Sequence, residues 1–328
     1  MTAPLTTRVL RADAEAIAEA VRVLQAGGLV AFPTETVYGL GADATRGEAV
    51  ARLYAAKGRP AFNPLITHVD GLPAARKLAR FDGPAERLAA AFWPGPLTLV
   101  LPKAANCPVA GLATAGLDTI AVRVPEHPIA QGLLSAFNGA LVAPSANRSG
   151  HVSPTTAAHV LADLGGRIDL ILDAGETPVG VESTIIACLD TPALLRPGGV
   201  TRGEIEHVVQ HKLHEAPDAA AASDAPRAPG MLASHYAPRT LLRLDVKRVE
   251  PSEALLAFGP VLAEGAERAM KVLNLSARGD LIEAAANLFS HLRALDTAGA
   301  SAIAAMPIPR EGLGEAINDR LRRAAAPR

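Results

Sequence analysis

Apolar residues along 13–25 recur at the three- and four-residue spacing of an amphipathic helix, and the run stops at Gly27-Gly28, a helix-terminating pair. A short continuous apolar stretch at 29–32 then reads as a buried strand. The same alternation continues: Thr45-Arg46-Gly47-Glu48 has capping-box form and opens a helix to 56, closed by Gly58. Strands follow at 65–69, 97–101, 119–124 and 141–143, with helices at 84–92 and 128–137. After them come a helix at 155–164 and strands at 169–172 and 183–189. A second capping box, Thr201-Arg202-Gly203-Glu204, starts the helix that ends this stretch. Helix and strand signals resume after a gap, with strands at 241–245, 254–258, 270–274 and near 301–305. Helices are predicted at 280–295 and 313–325.

This alternation predicts an α/β domain over 8–208, and the Pro-rich polar loops favour a mixed sheet over a regular doubly wound one. Residues 209–240, rich in Ala and Pro, read as a linker, and 241–328 as a second, smaller α/β domain. A length of 328 residues suits two domains, and 49% hydrophobic with 20% charged residues suits a folded chain. The net charge of −1 provides no global attraction to nucleic acid or an anionic membrane, so any polyanion must be gripped locally. Two cysteines, Cys107 and Cys188, with no C-x-x-C, suggest neither a disulfide framework nor a Cys-rich zinc site. No run is long and apolar enough for a membrane helix and 1–7 lacks a signal-peptide pattern, so the expected location is the cytoplasm.

Several loops carry chemistry. Pro33-Thr34-Glu35-Thr36-Val37-Tyr38-Gly39-Leu40-Gly41 contains the glycine spacing of a dinucleotide fingerprint, but no acidic residue ends a second strand about 20 residues on. A loop offering the Thr34 and Thr36 hydroxyls to a small ligand is the better reading. Lys57-Gly58-Arg59-Pro60-Ala61-Phe62-Asn63-Pro64-Leu65 is either a helix-ending turn or a stiff anion-binding loop. Arg123 lies inside an apolar strand, which calls for a salt bridge or a ligand carboxylate. Ala143-Pro144-Ser145-Ala146-Asn147-Arg148-Ser149-Gly150 ends a strand where open α/β sheets bind ligands. Ser153 or Thr155 then caps the next helix or serves an anion. Ser183 and Arg196 stand at further element ends. His207, His211 and His214 share a helical spacing but read as a solvated face. A-P-G-M-L-A-S-H-Y-A-P, at 228–238, is over-furnished for a spacer.

Together these motifs resemble the threonylcarbamoyl-AMP synthase family. The matching stretches are F-P-T-E-T-V-Y-G-L-G (32–41), K-G-R-P-A-F-N-P-L (57–65), W-P-G-P-L-T (93–98), A-V-R-V-P-E-H (121–127), A-P-S-A-N-R-S-G (143–150), E-S-T-I (182–185) and L-R-P-G (195–198). The resemblance implies a YrdC-like twisted mixed sheet with flanking helices, joined by the linker to a smaller Rossmann-like domain. It implies synthesis of L-threonylcarbamoyladenylate from L-threonine, bicarbonate and ATP, with Mg²⁺ on the nucleotide and release of pyrophosphate. The product feeds a threonylcarbamoyl transferase that modifies tRNA beside the anticodon, with a weak tRNA contact expected. Carried over residue by residue, Lys57 and Arg59 are catalytic. Arg59, Asn63, Thr119, Ser145, Asn147, Ser153, Arg196 and Tyr236 bind ATP, while Thr36, His68, Arg123, Ala143 and Ser183 bind threonine. No protein side chain is assigned to metal. The chain departs from the family at Asp173-Ala174-Gly175 and Ile186-Ala187-Cys188. Leu232-Ala233-Ser234 stands where the family commonly carries a basic residue. The linker is expected to close over the site, with Tyr236 near the nucleotide, Met231 at the rim, and Pro229 and Pro238 stiffening its ends. The alternative reading is a non-catalytic RNA-binding module of the same fold.

Overall fold

The computed structural model describes residues 5–215 and 235–327. In the first unit the strands are β1 (Arg8–Arg11), β2 (Val30–Pro33), β3 (Tyr38–Asp43), β4 (Ile66–His68), β5 (Leu97–Pro102), β6 (Thr119–Arg123), β7 (Leu141–Val142), β8 (Leu170–Asp173), β9 (Thr184–Ala187), β10 (Ala193–Arg196) and β11 (His214–Glu215). They form one sheet in the order β1-β8-β2-β3-β7-β4-β6-β5-β9-β10-β11, with parallel and antiparallel neighbours interleaved. Its helices are α1 (Ala14–Gln25), α2 (Gly47–Lys57), α3 (Leu72–Leu78), α4 (Gly83–Phe92), α5 (Pro128–Phe137), α6 (Ala157–Leu164) and α7 (Arg202–Val209). The sheet carries the first unit to 215, beyond the expected edge at 208. The second unit has a parallel sheet of β12 (Leu241–Arg243), β13 (Ala254–Ala257), β14 (Lys271–Asn274) and β15 (Ala302–Ala305), ordered β12-β15-β13-β14. Its helices are α8 (Leu281–Asp296) and α9 (Leu313–Ala325).

The strand period of two separates two cores. Val30, Phe32, Leu170 and Leu172 face α1 and α5, whereas Ala31 and Ile171 face the larger core against α2, α4 and α6. The second unit's core is not self-contained, because it takes in Val37, Val152 and Val181 of the first. The two units therefore share apolar burial beside the motif loops.

Three local expectations are corrected. The segment around Gly39 is strand β3 and not a loop, paired with β2 as a hairpin from Val30↔Gly41 to Pro33↔Tyr38. Glycine is required there because a Cβ on Gly41 would stand 2.9 Å from the Phe32 ring. The first capping box does not form, because the Thr45 hydroxyl donates to Asp43 at 2.7 Å and Arg46 caps α2 without a side-chain bond. At α6, Thr156 is the cap, accepting from His159 N, so neither Ser153 nor Thr155 fills that place. The second capping box at Thr201 is present with both of its hydrogen bonds. Pro229, Met231 and the 219–222 alanines fall outside the described residues.

Candidate active site

The ends of β4, β6, β9 and β10, the β2–β3 turn and the loop after β7 converge on a small cavity. Thr36, Arg59, His68, Arg123, Ala143, Ser145, Ser183, Arg196 and Tyr236 line it, joined by Glu182 and His235.

At the β2–β3 turn the single Thr34 hydroxyl proton goes to Val37 O at 2.6 Å, so the Thr36 hydroxyl, 2.8 Å away, is the donor to Thr34. This fixes the Thr36 hydroxyl in the wall with its lone pairs free. Arg123, two pairs along from Ala121↔Ile66 on β6, sits beside His68 of β4. Its Nη2 donates to Glu35 Oε1 at 2.5 Å and its Nε to Gly95 O at 3.3 Å. Glu35 Oε2 accepts from Glu126 N at 3.0 Å. Burial pushes the Glu35 carboxyl up, but the Arg123 charge and these hydrogen bonds hold it below its ordinary value. Both alternatives for Arg123 are compatible: it is ion-paired and still lines the cavity. His68 is lowered to about 3, first by burial and then by Arg123, so its imidazole is neutral at physiological pH.

The opposite wall is also cationic. Arg196 donates through Nε and Nη2 to Ser183 O and through Nη2 to Ser183 Oγ at 3.2 Å, while Ser183 Oγ and Thr98 Oγ1 lie 2.8 Å apart. Arg59 donates to Asn63 O and Pro64 O, and burial lowers it to about 10. Glu182 accepts from Ser153 Oγ at 2.5 Å and from Arg320 Nε at 2.8 Å.

Five expected residues lie outside the lining. Lys57 is buried, with its ammonium 2.5 Å from both Ser145 O and Asn147 O, so it holds the loop from behind. Burial, then Arg59, pushes it well below the ordinary lysine value. Asn63 is buried, and among the described residues neither of its side-chain polar atoms has a partner, nor does Asn147 Oδ1. Ser153 is bonded to Glu182, and Thr119 stands at the start of β6 paired with Pro102.

Tyr236 caps the cavity. Its φ of +62 is the left-handed region that a bulky residue enters only when its surroundings dictate it. They do so here: the ring lies against Phe289 at 5.7 Å and beneath Arg320, whose Cζ is 5.2 Å from its centroid. His235 N donates to Arg323 O at 3.2 Å and Ala237 N to Gly150 O at 2.8 Å, anchoring the chain on both sides. The remaining cavity is about 40 Å³. That holds little more than a water or two, against roughly 300–1,000 Å³ for a ligand site. The site is closed. A larger cleft of about 460 Å³ lies between α6 and α8, beside Asp163 and Arg293, but contains none of the expected site residues.

Glu35, Glu182, His235 and Arg320 were not singled out from sequence. For Arg320 a signal exists: it interrupts the apolar stripe of Ala316, Ile317 and Ala324 on α9.

The fold and site define a two-unit α/β protein with a small pocket lined by three arginines, Arg59, Arg123 and Arg196. Residues 22–198 match the family described as "Telomere recombination", and 200–326 match the "Threonylcarbamoyl-AMP synthase, C-terminal domain". The chain belongs to the threonylcarbamoyl-AMP synthase family. The threonylcarbamoyl-AMP synthase of Pyrococcus abyssi is 44% identical over 92% of both chains. That of Bacillus subtilis is 41% identical over 95% of this chain and 93% of its own. A crystal structure of P. abyssi Sua5 complexed with L-threonine superposes with a TM-score of 0.86 at 40% identity, covering 98% of this chain and 97% of that one. Both sheets thus have a counterpart in a solved structure. Among the described residues, no helix is long and apolar enough to cross a membrane.

Proposed function

We propose that this protein makes L-threonylcarbamoyladenylate from L-threonine, bicarbonate and ATP, releasing pyrophosphate, in the cytoplasm. The observation that carries the reading is the convergence of Arg59, Arg123 and Arg196 on one small pocket, in a chain so similar along its length to named synthases.

The chemistry suits these residues. Threonine carbamate is already an anion, so its attack on the α-phosphorus needs alignment and charge neutralisation more than a strong base. Arg123, braced by Glu35, receives the threonine carboxylate bidentately. Thr36, neutral His68, Ser183 and the backbone at Ala143 surround the rest of the amino acid. Arg59 and Arg196 face the phosphates with Ser145. Asn63, whose two unpartnered amide atoms can both donate and accept, meets the nucleotide with Asn147, Thr119 and Ser153. Lys57 contributes by fixing the Ser145–Asn147 loop. Tyr236 and His235 close over the nucleotide and exclude water from a labile product.

Glu35 and Glu182 are each engaged by an arginine, so neither carboxylate is offered to a metal, and Mg²⁺ would come with the nucleotide. When bound it would supply neutralisation of the phosphate charge. The product passes to a threonylcarbamoyl transferase acting on tRNA, with at most weak tRNA contact by this chain. The non-catalytic RNA-binding reading gains no support from the pocket or from the relatives.

The test is pyrophosphate release from ATP with threonine and bicarbonate omitted in turn. Release that ignores both omissions overturns the reading. Arg59→Ala and Arg123→Ala should each remove most of the threonine-dependent release.

A further inference from the structure

Arg320 belongs to the second unit, yet its guanidinium, with no exposed surface, lies against Glu182 and Tyr236, two residues that line the first unit's pocket. A buried arginine is costly unless its donors are met. Here Nε donates to Glu182 Oε2 at 2.8 Å, and Nη1 to Pro197 O at 2.9 Å and Asp319 Oδ2 at 2.8 Å. Both first-unit partners are motif residues: Glu182 opens E-S-T-I and holds Ser153, and Pro197 directly follows Arg196. Nη2 has no hydrogen-bond partner among the described residues. Its compensation is the Tyr236 ring, which lies 5.2 Å from Cζ and offers a negative face to the cation. Tyr236 in turn holds a left-handed backbone with no glycine to ease it. The guanidinium and the ring therefore depend on each other: moving Tyr236 exposes an unmet buried donor, and removing Arg320 takes away the surface on which the strained tyrosine rests.

We infer that Arg320 is a positioning residue for the adenylation reaction, a latch by which the second unit's last helix holds the Tyr236 cap over the nucleotide and Glu182 in the pocket wall. It acts through Tyr236 and Glu182 without touching substrate. The inference rests on the synthase reading for its assay but not for its geometry. It gives the second unit a part in the reaction, because a pocket lacking α9 loses the cation over the cap and the charged partner of Glu182.

The test is a double-mutant cycle of Arg320→Lys with Tyr236→Leu. Lysine keeps the charge but loses the fork and the planar stacking surface. Each single variant should raise the KM for ATP by about tenfold with kcat changed much less, and the double variant should be no worse than the poorer single, a coupling of ~1.4 kcal/mol. Arg322→Gln, at an exposed position on the same helix, should behave as wild type. Additive effects in the cycle, or an unchanged KM in Arg320→Lys, overturn the inference. Should Arg320→Lys melt below the assay temperature, Asp319→Asn takes its place, with about a threefold rise expected and the same non-additivity; no rise overturns it. ATP affinity by calorimetry reads the same cycle independently of turnover. If wild type shows no threonine-dependent pyrophosphate release, the synthase reading fails, while the calorimetric cycle still decides the latch.

Discussion

The Arg123 guanidinium and the Glu35 carboxylate meet at 2.5 Å with both side chains almost wholly out of solvent. One comes from the end of β6 and the other from a hairpin turn 88 residues away. The contact orients a cation that, on the proposed function, receives the threonine carboxylate. Glu35→Gln keeps the acceptor oxygen but removes the charge, and should raise the KM for threonine well above any change for ATP. Glu35→Ala leaves Arg123 unpaired and should cost about 3–5 kcal/mol of stability. Threonine and ATP titrations, with denaturant midpoints, separate the two effects. Equal changes in both KM values would refute the brace.

Lys57 offers a second test, because its position behind the loop and a direct phosphate role predict different kinetics. Its ammonium bridges Ser145 O and Asn147 O, so Lys57→Met takes that donor from both carbonyls and leaves Ser145 O only the Asn147 N–H. The expected stability loss is about 1–3 kcal/mol. As the loop loosens, the KM for ATP should rise more than kcat falls. A fall confined to kcat would mean that Lys57 reaches the reacting phosphates.

The elements easiest to read were those whose signals are local. The helices expected over 13–25 and 280–295 are found at Ala14–Gln25 and Leu281–Asp296, and 313–325 is a helix from end to end. Thr45 misled because Asp43, two residues back, competes for its hydroxyl, and a spacing rule does not see the competitor. β3 hid because Gly39 and Gly41 lower strand propensity, while the packing that demands them, against Phe32 and Ala143, is non-local. β1, α3, β10 and β11 were missed as short pieces. In the site, Arg59, Arg123, Ser183 and Arg196 converge from four separate segments. Their convergence was visible only through the family resemblance, since no spacing rule brings such distant positions together. Glu182 and Arg320 belong to different units, so their pairing lay beyond any single motif.

The pH dependence of stability gives a third test. His68 has its folded pKa at about 3, against 6.5 ordinarily. Between those values the unfolded chain binds a proton that the folded chain refuses, so stability rises with pH across this window. The contribution is complete above pH 6.5 and is lost as pH falls toward 3. The slope for one such group is about 1.4 kcal/mol per pH unit. His68→Gln cannot titrate there and should lose about that slope between pH 6 and 4 in urea midpoints taken at each pH. His235, lowered by burial to the same value, keeps its own contribution in this variant. An unaltered slope would show that His68 is protonated in the folded protein.

The last test addresses how firmly the two units are joined. Gly180 has φ +74, and a Cβ there would stand 2.3 Å from Ala285 O and 2.5 Å from Ala286 Cα, the backbone of α8. Gly279 has nearly the same φ, +76, with nothing within 4 Å of its imagined Cβ. Gly279→Ala should therefore cost only the ~1 kcal/mol of a left-handed alanine. Gly180→Ala must also move backbone against backbone, and should cost at least ~2 kcal/mol more. The first substitution should leave activity intact. The second pushes α8 off the first unit and loosens Arg293, which donates to Val152 O and to Asp163 Oδ2 at 3.1 Å in the Ser153 region. Thermal melts and the KM for ATP, measured on both variants, should thus part company at Gly180 alone. If the two alanines proved equivalent in both measurements, the close seat of α8 on the loop would be of no consequence to the pocket.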